Sequence, residues 1–405
     1  MTIYVARGAF KRNGDFDPSQ IEEGLQLGMP PQIVITPQAN NDATINAFYN
    51  WVKNKNNISN IPLKITSHGI GEFYDCKTLQ VEESIKTVVK YNERLGRTLI
   101  EDVNFHAGTL FTFEEGHEKF RIELNKGKKY TGLESLFTSE EYLYGMKKTI
   151  KNMGKWVKYG NRHGINVTVE NIYPADYDTK DSPLETLRGF SKYYNYDVRF
   201  KDSSWGLGLI NLGIWGIGHD MAKITDGYVC IDIEHFDGAV EHSREFNFET
   251  MGERKPKTKA QQELLELGIW VEYGEPMIFE KEIDPKEYFD NLEGKIKISH
   301  LGGEISRFYE DKNREGQKVR KIGSHMPYLF EGDKDPLRII ENDEIRREMG
   351  REIEKRAREY CKLLKKSGCE KHVLEIHLGE SICGGPTWNH YIGTSYKNIR
   401  KFLPA

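Results

Sequence analysis

The fold is decided by residues 63–106, LKITSHGIGEFYDCKTLQVEESIKTVVKYNERLGRTLIEDVNFH. A short run rich in β-branched residues, Leu63–Ser67, is followed by a segment whose apolar residues have helical spacing, Val81–Leu95. A second short apolar run, Val103–His106, comes next, and a histidine closes both runs. This order predicts a strand, a helix that crosses back over the sheet, and a second strand parallel to the first.

The same unit recurs along the whole chain. Eight short apolar runs are predicted as strands: Ile3–Ala6, Ile33–Thr36, Leu63–Ser67, Val103–His106, Asn166–Glu170, Tyr228–Asp232, Lys295–His300 and His372–Ile376. Helical spacing lies between them, most clearly in Ala43–Lys55, Val81–Leu95, Glu140–His163 and Asp343–Lys366. Eight alternations of strand and helix predict the α/β class and one (β/α)8 TIM barrel domain over residues 1–405.

The predicted strands are unevenly spaced, and the surplus residues form three insertions. The insertions cover about residues 111–131, 174–226 and 237–280, after strands four, five and six. The first of them has the pattern of a hairpin, and the third carries the basic run RKPKTK, residues 254–259. Because the loops that follow the strands of a barrel build its active site, these insertions are expected to form walls or a lid over it.

Composition excludes several classes of protein. The chain has 58 Lys and Arg against 62 Asp and Glu, so it has no global basic field of the kind that binds nucleic acid or anionic lipid. The longest apolar stretch, residues 207–217, is too short to span a bilayer, and the N-terminus has no signal-peptide pattern. The 5 cysteines are scattered and form no CxxC pair. We therefore expect a cytoplasmic protein without membrane association.

Polar residues close six of the eight predicted strands. These residues are His68, His106, Glu170, Asp232 (with His235 following), His300 and Glu375. A single histidine after an apolar run is typical of a satisfied core or turn residue, but all six side chains would meet at one rim of the barrel. Carboxylates gathered there would repel one another unless a cation held them. A mixed set of imidazoles and carboxylates favours Zn²⁺ or Mn²⁺ over Ca²⁺.

The order of these motifs resembles the endonuclease IV and xylose-isomerase-like superfamily, AP endonuclease family 2, over roughly residues 1–400. The motifs are SHG at His68, FHAG at His106, VENI at Glu170, DIEH at Asp232 and His235, ISHL at His300, SHMP at His325 and LEIH at Glu375. The resemblance implies one ion on His68, His106 and Glu170. A second ion would be held by Glu170 together with Asp232, His300 and Glu375.

A third ion of that family is held by two histidines, here His235 and His325, and by an aspartate two residues before the second one. This sequence has Gly323 at the aspartate position. The resemblance thus implies two zinc ions, with manganese, magnesium or cobalt as alternatives, and puts the third in question. Another acid of the same loop, such as Glu304 or Asp311, is an alternative source of the missing carboxylate.

The predicted catalytic residues are Glu170, Glu375 and His235, and three functions remain open at this point. The first function is hydrolysis of a phosphoester in a sugar phosphate or in DNA with an abasic site, where two ions activate water and stabilise the leaving oxygen. The second is isomerisation or epimerisation of a sugar or sugar phosphate, where one ion polarises the substrate, a glutamate moves the proton and His235 contacts the substrate. The third is metal binding without catalysis.

Overall fold

The structure is a computed structural model. It describes residues 1–10, 13–58, 63–72, 78–106, 111–113, 120–122, 140–171, 227–245, 282–303, 325–339, 342–376 and 386–403. All eight predicted metal ligands lie within these ranges. Gly323, Glu304, Asp311 and the basic run at 254–259 do not, so the roles expected of them lie outside the described residues.

Eight parallel strands close into a barrel, as the sequence predicts. They are β1 (Thr2–Arg7), β2 (Pro31–Ile35), β3 (Ile65–Glu72), β4 (Ile100–His106), β7 (Asn166–Glu170), β8 (Tyr228–Asp232), β9 (Ile296–Leu301) and β10 (Lys371–Leu374). Each strand pairs with its neighbours in chain order, and β1 closes the ring by pairing with β10. The remaining strands, β5 (Phe111–Phe113) and β6 (Phe120–Ile122), form an antiparallel pair, which agrees with the hairpin predicted in the first insertion.

Helices lie between the barrel strands. They are α1 (Ser19–Gln26), α2 (Asp42–Ile58), α3 (Thr78–Leu95), α4 (Glu140–Arg162), α5 (Ile233–Glu245), α6 (Pro285–Asn291), α7 (Asp343–Lys366) and α8 (Pro386–Ile399). Helix α5 corrects one boundary, because the insertion predicted at residues 237–280 begins inside this helix. The rest of that insertion, and the whole of the one at 174–226, lie outside the described residues.

Helix α7 illustrates why the sequence folds locally as it does. The side chain of Asn342 caps its first turn by accepting hydrogen bonds from the backbone N–H groups of Glu344 and Ile345. Acidic residues occupy the first turn and two lysines the last, which matches the helix dipole. The buried stripe is formed by Ile345, Met349, Ile353, Ala357, Tyr360 and Leu364. This stripe packs the helix onto the outside of the barrel.

Alternation along the strands separates an inner from an outer layer. Tyr4, Cys230, Ile298 and Val373 form a small cluster of their own inside the barrel. Most other apolar strand residues belong to the large core that includes the helices, so they face outward. Since side chains alternate along a strand, positions two residues beyond the inner cluster also face the barrel axis. These positions include Asp232 and His300.

The connections from helix to strand are short. Gly164 between α4 and β7, and Gly368 between α7 and β10, adopt left-handed backbone with φ of 68° and 80°. Glycine ends a helix in this conformation without the steric cost that a Cβ atom brings. The longer segments therefore lie at the opposite end of the barrel, where the strands end. None of the helices in the described ranges has both the length and the apolar composition needed to cross a membrane.

Candidate metal centre

The structure brings together all eight of the predicted ligands at the carboxyl ends of the strands. They are distributed over three of four overlapping groups, in each of which one ligand atom from every residue lies within 4.8 Å of the others; the fourth group is Glu170, Cys230 and His300. The first group is His68, His106 and Glu170; the second is Glu170, Asp232, His300 and Glu375; the third is Asp232, Glu234, His235 and His325. Glu234 was not among the predicted residues.

Glu170 is the centre of the first two groups. Its Oε2 atom lies 3.3 Å from Nε2 of His68. Its Oε1 atom lies 3.0 Å from Nδ1 of His300 and 3.8 Å from Nε2 of His106. Nδ1 of His300 is also 2.8 Å from Oε2 of Glu375. Glu170 therefore presents one oxygen toward His68 and the other toward His300 and His106.

Two polar residues inside the barrel hold Glu170 in place. Asn104 on β4 donates a hydrogen bond from its side-chain amide to Oε2 of Glu170. The hydroxyl of Thr168 donates to Oδ1 of Asn104 over 3.0 Å, which fixes the orientation of that amide. Glu170, Asn104 and Thr168 are all buried. The carboxylate is thus held by a chain of hydrogen bonds that starts below it in the barrel.

Asp232 links the second group to the third. Its Oδ2 atom lies 2.7 Å from Nε2 of His325 and 3.9 Å from Nδ1 of His300. On the far side of His325, Oε2 of Glu234 lies 2.7 Å from Nδ1 of the same imidazole. His325 is therefore placed between two carboxylates, from the end of β8 and from the first turn of α5.

Most of the histidines have a second contact that orients the ring. Nδ1 of His68 lies 2.9 Å from the carbonyl oxygen of Gly69, and Nδ1 of His235 lies 2.9 Å from that of Asn171. A nitrogen facing a carbonyl must carry the proton, so Nε2 is the nitrogen available to a ligand in both rings. Nε2 of His300 lies 3.1 Å from the side-chain nitrogen of Gln32 on β2. Such outer contacts are typical of histidines that bind metals.

Electrostatics at this site are dominated by buried carboxylates facing imidazoles. Burial raises the pKa of Glu170, but the neighbouring His300 and His106 outweigh it and hold that pKa well below its usual range. Burial likewise opposes the charge of Asp232, whose pKa is lowered by His235 and His325. For His300, burial works against protonation, yet Glu170 and Glu375 help to raise its pKa well above the usual value. The carboxylates are ionised and attract positive charge.

These residues fit a divalent cation of the zinc or manganese type. The donor atoms are imidazole nitrogens and carboxylate oxygens, and both kinds of atom suit borderline ions. Glu170 and Asp232 are 2% and 0% exposed, so water cannot neutralise their charges. In the described part of the chain, the ion pairs of Glu170 involve only His68, His106 and His300. If its imidazoles are to bind a metal as neutral donors, the buried negative charge of the site needs a cation to balance it.

Glu234 is the site residue that the sequence pattern did not single out. It lies between Asp232 and His235 in the DIEH motif and is 3% exposed. A carboxylate at the start of a helix also has an ordinary explanation, since it favours the helix dipole. The one available signal was its position between two predicted ligands. Gln32, Asn104 and Thr168, which support the ligands, were likewise missed.

Comparison with known proteins finds solved structures of similar fold but no related sequence family. No family model and no curated protein matches the chain. Among solved structures, it is similar to D-psicose 3-epimerase with D-tagatose from Clostridium cellulolyticum H10, with 10% identity, a TM-score of 0.46 and 100% of both chains covered.

Two further solved structures are similar to this chain in fold. Endonuclease IV from Thermus thermophilus is 12% identical with a TM-score of 0.40, and the match covers 100% of this chain and 98% of the other. The IOLI protein with a bound zinc atom is 11% identical with a TM-score of 0.44, and the match covers 100% of both chains. At such identities the likeness is one of fold, and the barrel itself follows from the strand pairing of this chain.

Proposed function

We propose that this barrel is a metal-dependent phosphoester hydrolase that acts on a sugar phosphate or a nucleic acid through two divalent ions. The observation that carries the proposal is the position of Glu170 between two groups of ligands. Its Oε2 atom faces His68 over 3.3 Å, and its Oε1 atom faces His300 over 3.0 Å. A carboxylate with this placement can serve two ions, and paired ions are typical of phosphoester hydrolysis.

The predicted ligands divide between the two ion positions. His68 and His106 would hold one ion, and Asp232, His300 and Glu375 the other, with Glu170 shared. When bound, such ions lower the pKa of water and stabilise charge on phosphoryl and leaving oxygens. His235, whose ring is oriented by the carbonyl of Asn171 over 2.9 Å, is directed by that contact to present Nε2 to the mouth, where it can orient a phosphate.

Isomerisation or epimerisation of a sugar is the second candidate. The observation in its favour is that Glu170, Asp232, His300 and Glu375 form a complete four-ligand group by themselves. One ion held there would suffice to polarise neighbouring substrate oxygens, and a glutamate would move the proton. His68 and His106 would then have no part in the reaction, which makes them the residues that separate the two candidates.

The test compares substrates and one pair of histidine variants. The zinc- or manganese-loaded chain is assayed on an abasic-site DNA oligonucleotide, on p-nitrophenyl phosphate esters and on a panel of ketoses. His68→Ala removes a ligand of the first group, and His163→Ala, an exposed histidine at the end of the α4 region, is the matched control. We expect phosphoester cleavage that falls by roughly 100-fold or more in His68→Ala and is unchanged in His163→Ala.

Two outcomes would contradict the hydrolase proposal. Turnover of a ketose by a chain with one ion, unaffected by His68→Ala, would establish the isomerase alternative. Tight binding of two ions without turnover of any of the three substrate classes would favour a barrel that binds metal without catalysing these reactions.

A further inference from the structure

A cavity lies between the segment at 325–339 and the first half of α7, and none of the eight predicted metal ligands lines it. Its volume is about 240 Å³. A cavity of roughly 150 Å³ is large enough to hold a six-carbon aromatic ring, so by the same proportion this one can hold about ten non-hydrogen atoms. The cavity therefore has the size of a small metabolite.

The two walls of the cavity meet in a close backbone contact. A Cβ atom added to Gly350 of α7 would lie 2.7 Å from the backbone nitrogen of Glu331, so glycine is required for the helix and the loop to approach this closely. Three buried apolar side chains also line the space, those of Met326, Ile339 and Ile353. An occupant would thus need an apolar part that displaces water from these side chains.

Two lining side chains of opposite charge have binding capacity that the fold does not use. Oδ2 of Asp333 accepts hydrogen bonds from the backbone N–H of Phe330 over 2.7 Å and from the side-chain amide of Asn398 over 2.5 Å. Within the described ranges, Oδ1 of Asp333 makes no hydrogen bond or ion pair, and neither does the exposed guanidinium of Arg347.

The other charged residues that line the cavity already have partners. Arg346 pairs with Asp343 over 2.9 Å. Oδ1 of Asp335 accepts a hydrogen bond of 2.6 Å from the hydroxyl of Tyr391, and Glu331 lies 4.0 Å from Arg351, a residue outside the lining. One carboxylate oxygen and one guanidinium, from Asp333 and Arg347, are therefore left for an occupant.

A ligand that carries both charges and an apolar group suits this lining. We infer that the cavity binds a small zwitterion, an α-amino acid with a short apolar side chain. Its ammonium group would contact Oδ1 of Asp333, and its carboxylate would face Arg347, whose planar fork of N–H donors matches two oxygens. This binding would be separate from the reaction proposed for the barrel mouth.

The experiment measures the binding of matched ligands to the whole chain by isothermal calorimetry. L-valine is compared with 3-methylbutanoate, which lacks the ammonium group, and with 2-methylpropylamine, which lacks the carboxylate. L-alanine and L-leucine vary the size of the apolar part. Each titration is made with zinc-loaded and with metal-stripped protein, because amino acids also bind zinc directly.

Two variants remove the unused charges one at a time. Arg347→Gln changes an exposed side chain, and Asp333→Asn keeps an oxygen that can accept the bonds from Phe330 and Asn398. Arg358→Gln is the matched control, because Arg358 lies on the same helix, is 67% exposed and pairs with Glu354, away from the cavity.

We expect at least one of the three amino acids to bind one per chain, with a Kd of roughly 1 mM or lower in both forms of the protein. The two singly charged analogues of valine should bind at least about 10-fold more weakly than valine. Arg347→Gln and Asp333→Asn should each raise the Kd by roughly 10- to 100-fold, since each removes a charged hydrogen-bond partner, and Arg358→Gln should not change it.

Several results would overturn the inference: no binding by any of the three amino acids, binding of 3-methylbutanoate as tight as that of valine, or a Kd that Arg347→Gln leaves unchanged. Binding that requires zinc would do so as well, because the ligand would then lie at the metal centre. If Asp333→Asn does not fold, as judged by circular dichroism, Arg347→Glu replaces it. Reversing the charge at this exposed position should weaken valine binding more than Arg347→Gln does, and an equal or smaller effect would contradict a contact with the carboxylate.

Discussion

Two buried histidines on neighbouring strands have opposite electrostatic surroundings. His300 on β9 and His372 on β10 are both 0% exposed, but the first faces the barrel interior and the second faces the helices outside. Burial works against the charge of His300, yet Glu170 and Glu375 help to raise its pKa well above the usual value. Burial lowers the pKa of His372 to about 4, and the charge of the chain's N-terminus adds to the effect.

The comparison shows that burial alone does not decide the charge of an imidazole. Nδ1 of His372 lies 2.8 Å from the hydroxyl of Ser299 and 4.0 Å from the thiol of Cys369, both neutral groups. Nδ1 of His300 faces carboxylates at 2.8 and 3.0 Å. The carboxylates on the inner layer, around His300, therefore require positive charge from an ion or from protons. The neutral surroundings of His372 on the outer layer disfavour a charged imidazole.

The largest effect on metal binding and turnover is expected from removing the charge of Glu170, at the centre of the inner layer. Glu170→Gln should weaken both ion positions by roughly 100-fold or more, since one carboxylate serves both, and should abolish turnover. The free energy of unfolding should fall as well, because ions that bind only the folded chain stabilise it by about 2.7 kcal/mol at 100 times Kd. Elemental analysis and urea unfolding with and without chelator measure both effects.

Glu101→Gln is a suitable control for that variant, because Glu101 is exposed and lies at the start of β4, away from the mouth. Full metal content and normal turnover in Glu170→Gln would remove the centre of the proposed site.

In the outer layer, acid should destabilise the fold through His372. Its pKa is about 4 in the folded chain against 6.5 as the ordinary value, so the unfolded chain binds the extra proton between these values. This contribution is complete above pH 6.5 and is lost as pH falls toward 4, by up to about 3 kcal/mol. Urea unfolding of wild type and His372→Gln at pH 7 and pH 5 tests the sign. An equal loss of stability in both proteins would contradict the role of His372.

A smaller effect is expected at Gln32, which orients His300 from across the barrel. Metal bound at Nδ1 of His300 leaves the proton on Nε2, so the Gln32 amide would then turn its oxygen toward that nitrogen. Gln32→Leu should weaken the ion of the second group by roughly 10- to 100-fold and leave that of the first group unchanged. Zinc titration measures this, and equal weakening at both positions would indicate a general disturbance.

The smallest effect is expected at Ser299, which lies beside His300 on β9 but faces outward. Ser299→Ala removes the hydroxyl bonded to His372 and should cost about 1 kcal/mol of unfolding free energy. Metal content should not change, because the side chain points away from the site. A loss of bound zinc in this variant would mean that the two layers are coupled.

The fold was predictable from the sequence because its signals are local. The helix at Asp343–Lys366 carries its cap, its charges and its buried stripe within one segment, and the structure gives it the predicted ends. The meeting of the strand-end histidines and carboxylates was also predictable, since parallel strands gather their carboxyl ends at one rim. Strand boundaries were less well predicted: β4 begins at Ile100, three residues before the predicted start.

The supporting residues of the site could not be predicted, because their contacts join distant parts of the chain. Gln32 meets His300 across 268 residues, and Glu234 meets His325 across 91. The first contact depends on the register of the closed barrel, and the second depends on where the chain returns to the barrel mouth at His325. The inner face also carries the polar residues Asn104 and Thr168, and no local sequence pattern identifies them as part of the site.

The hydrogen-bond chain from Thr168 through Asn104 to Glu170 has a consequence for how an ion is taken up. A free glutamate side chain loses rotational freedom when it is fixed, at a cost of about 0.5–1.5 kcal/mol. Here that entropy is lost when the barrel folds, and Glu170 is already immobilised before any ion arrives. Ion affinity at this carboxylate should therefore depend on dehydration of the ion and on the donor atoms, with little dependence on side-chain ordering.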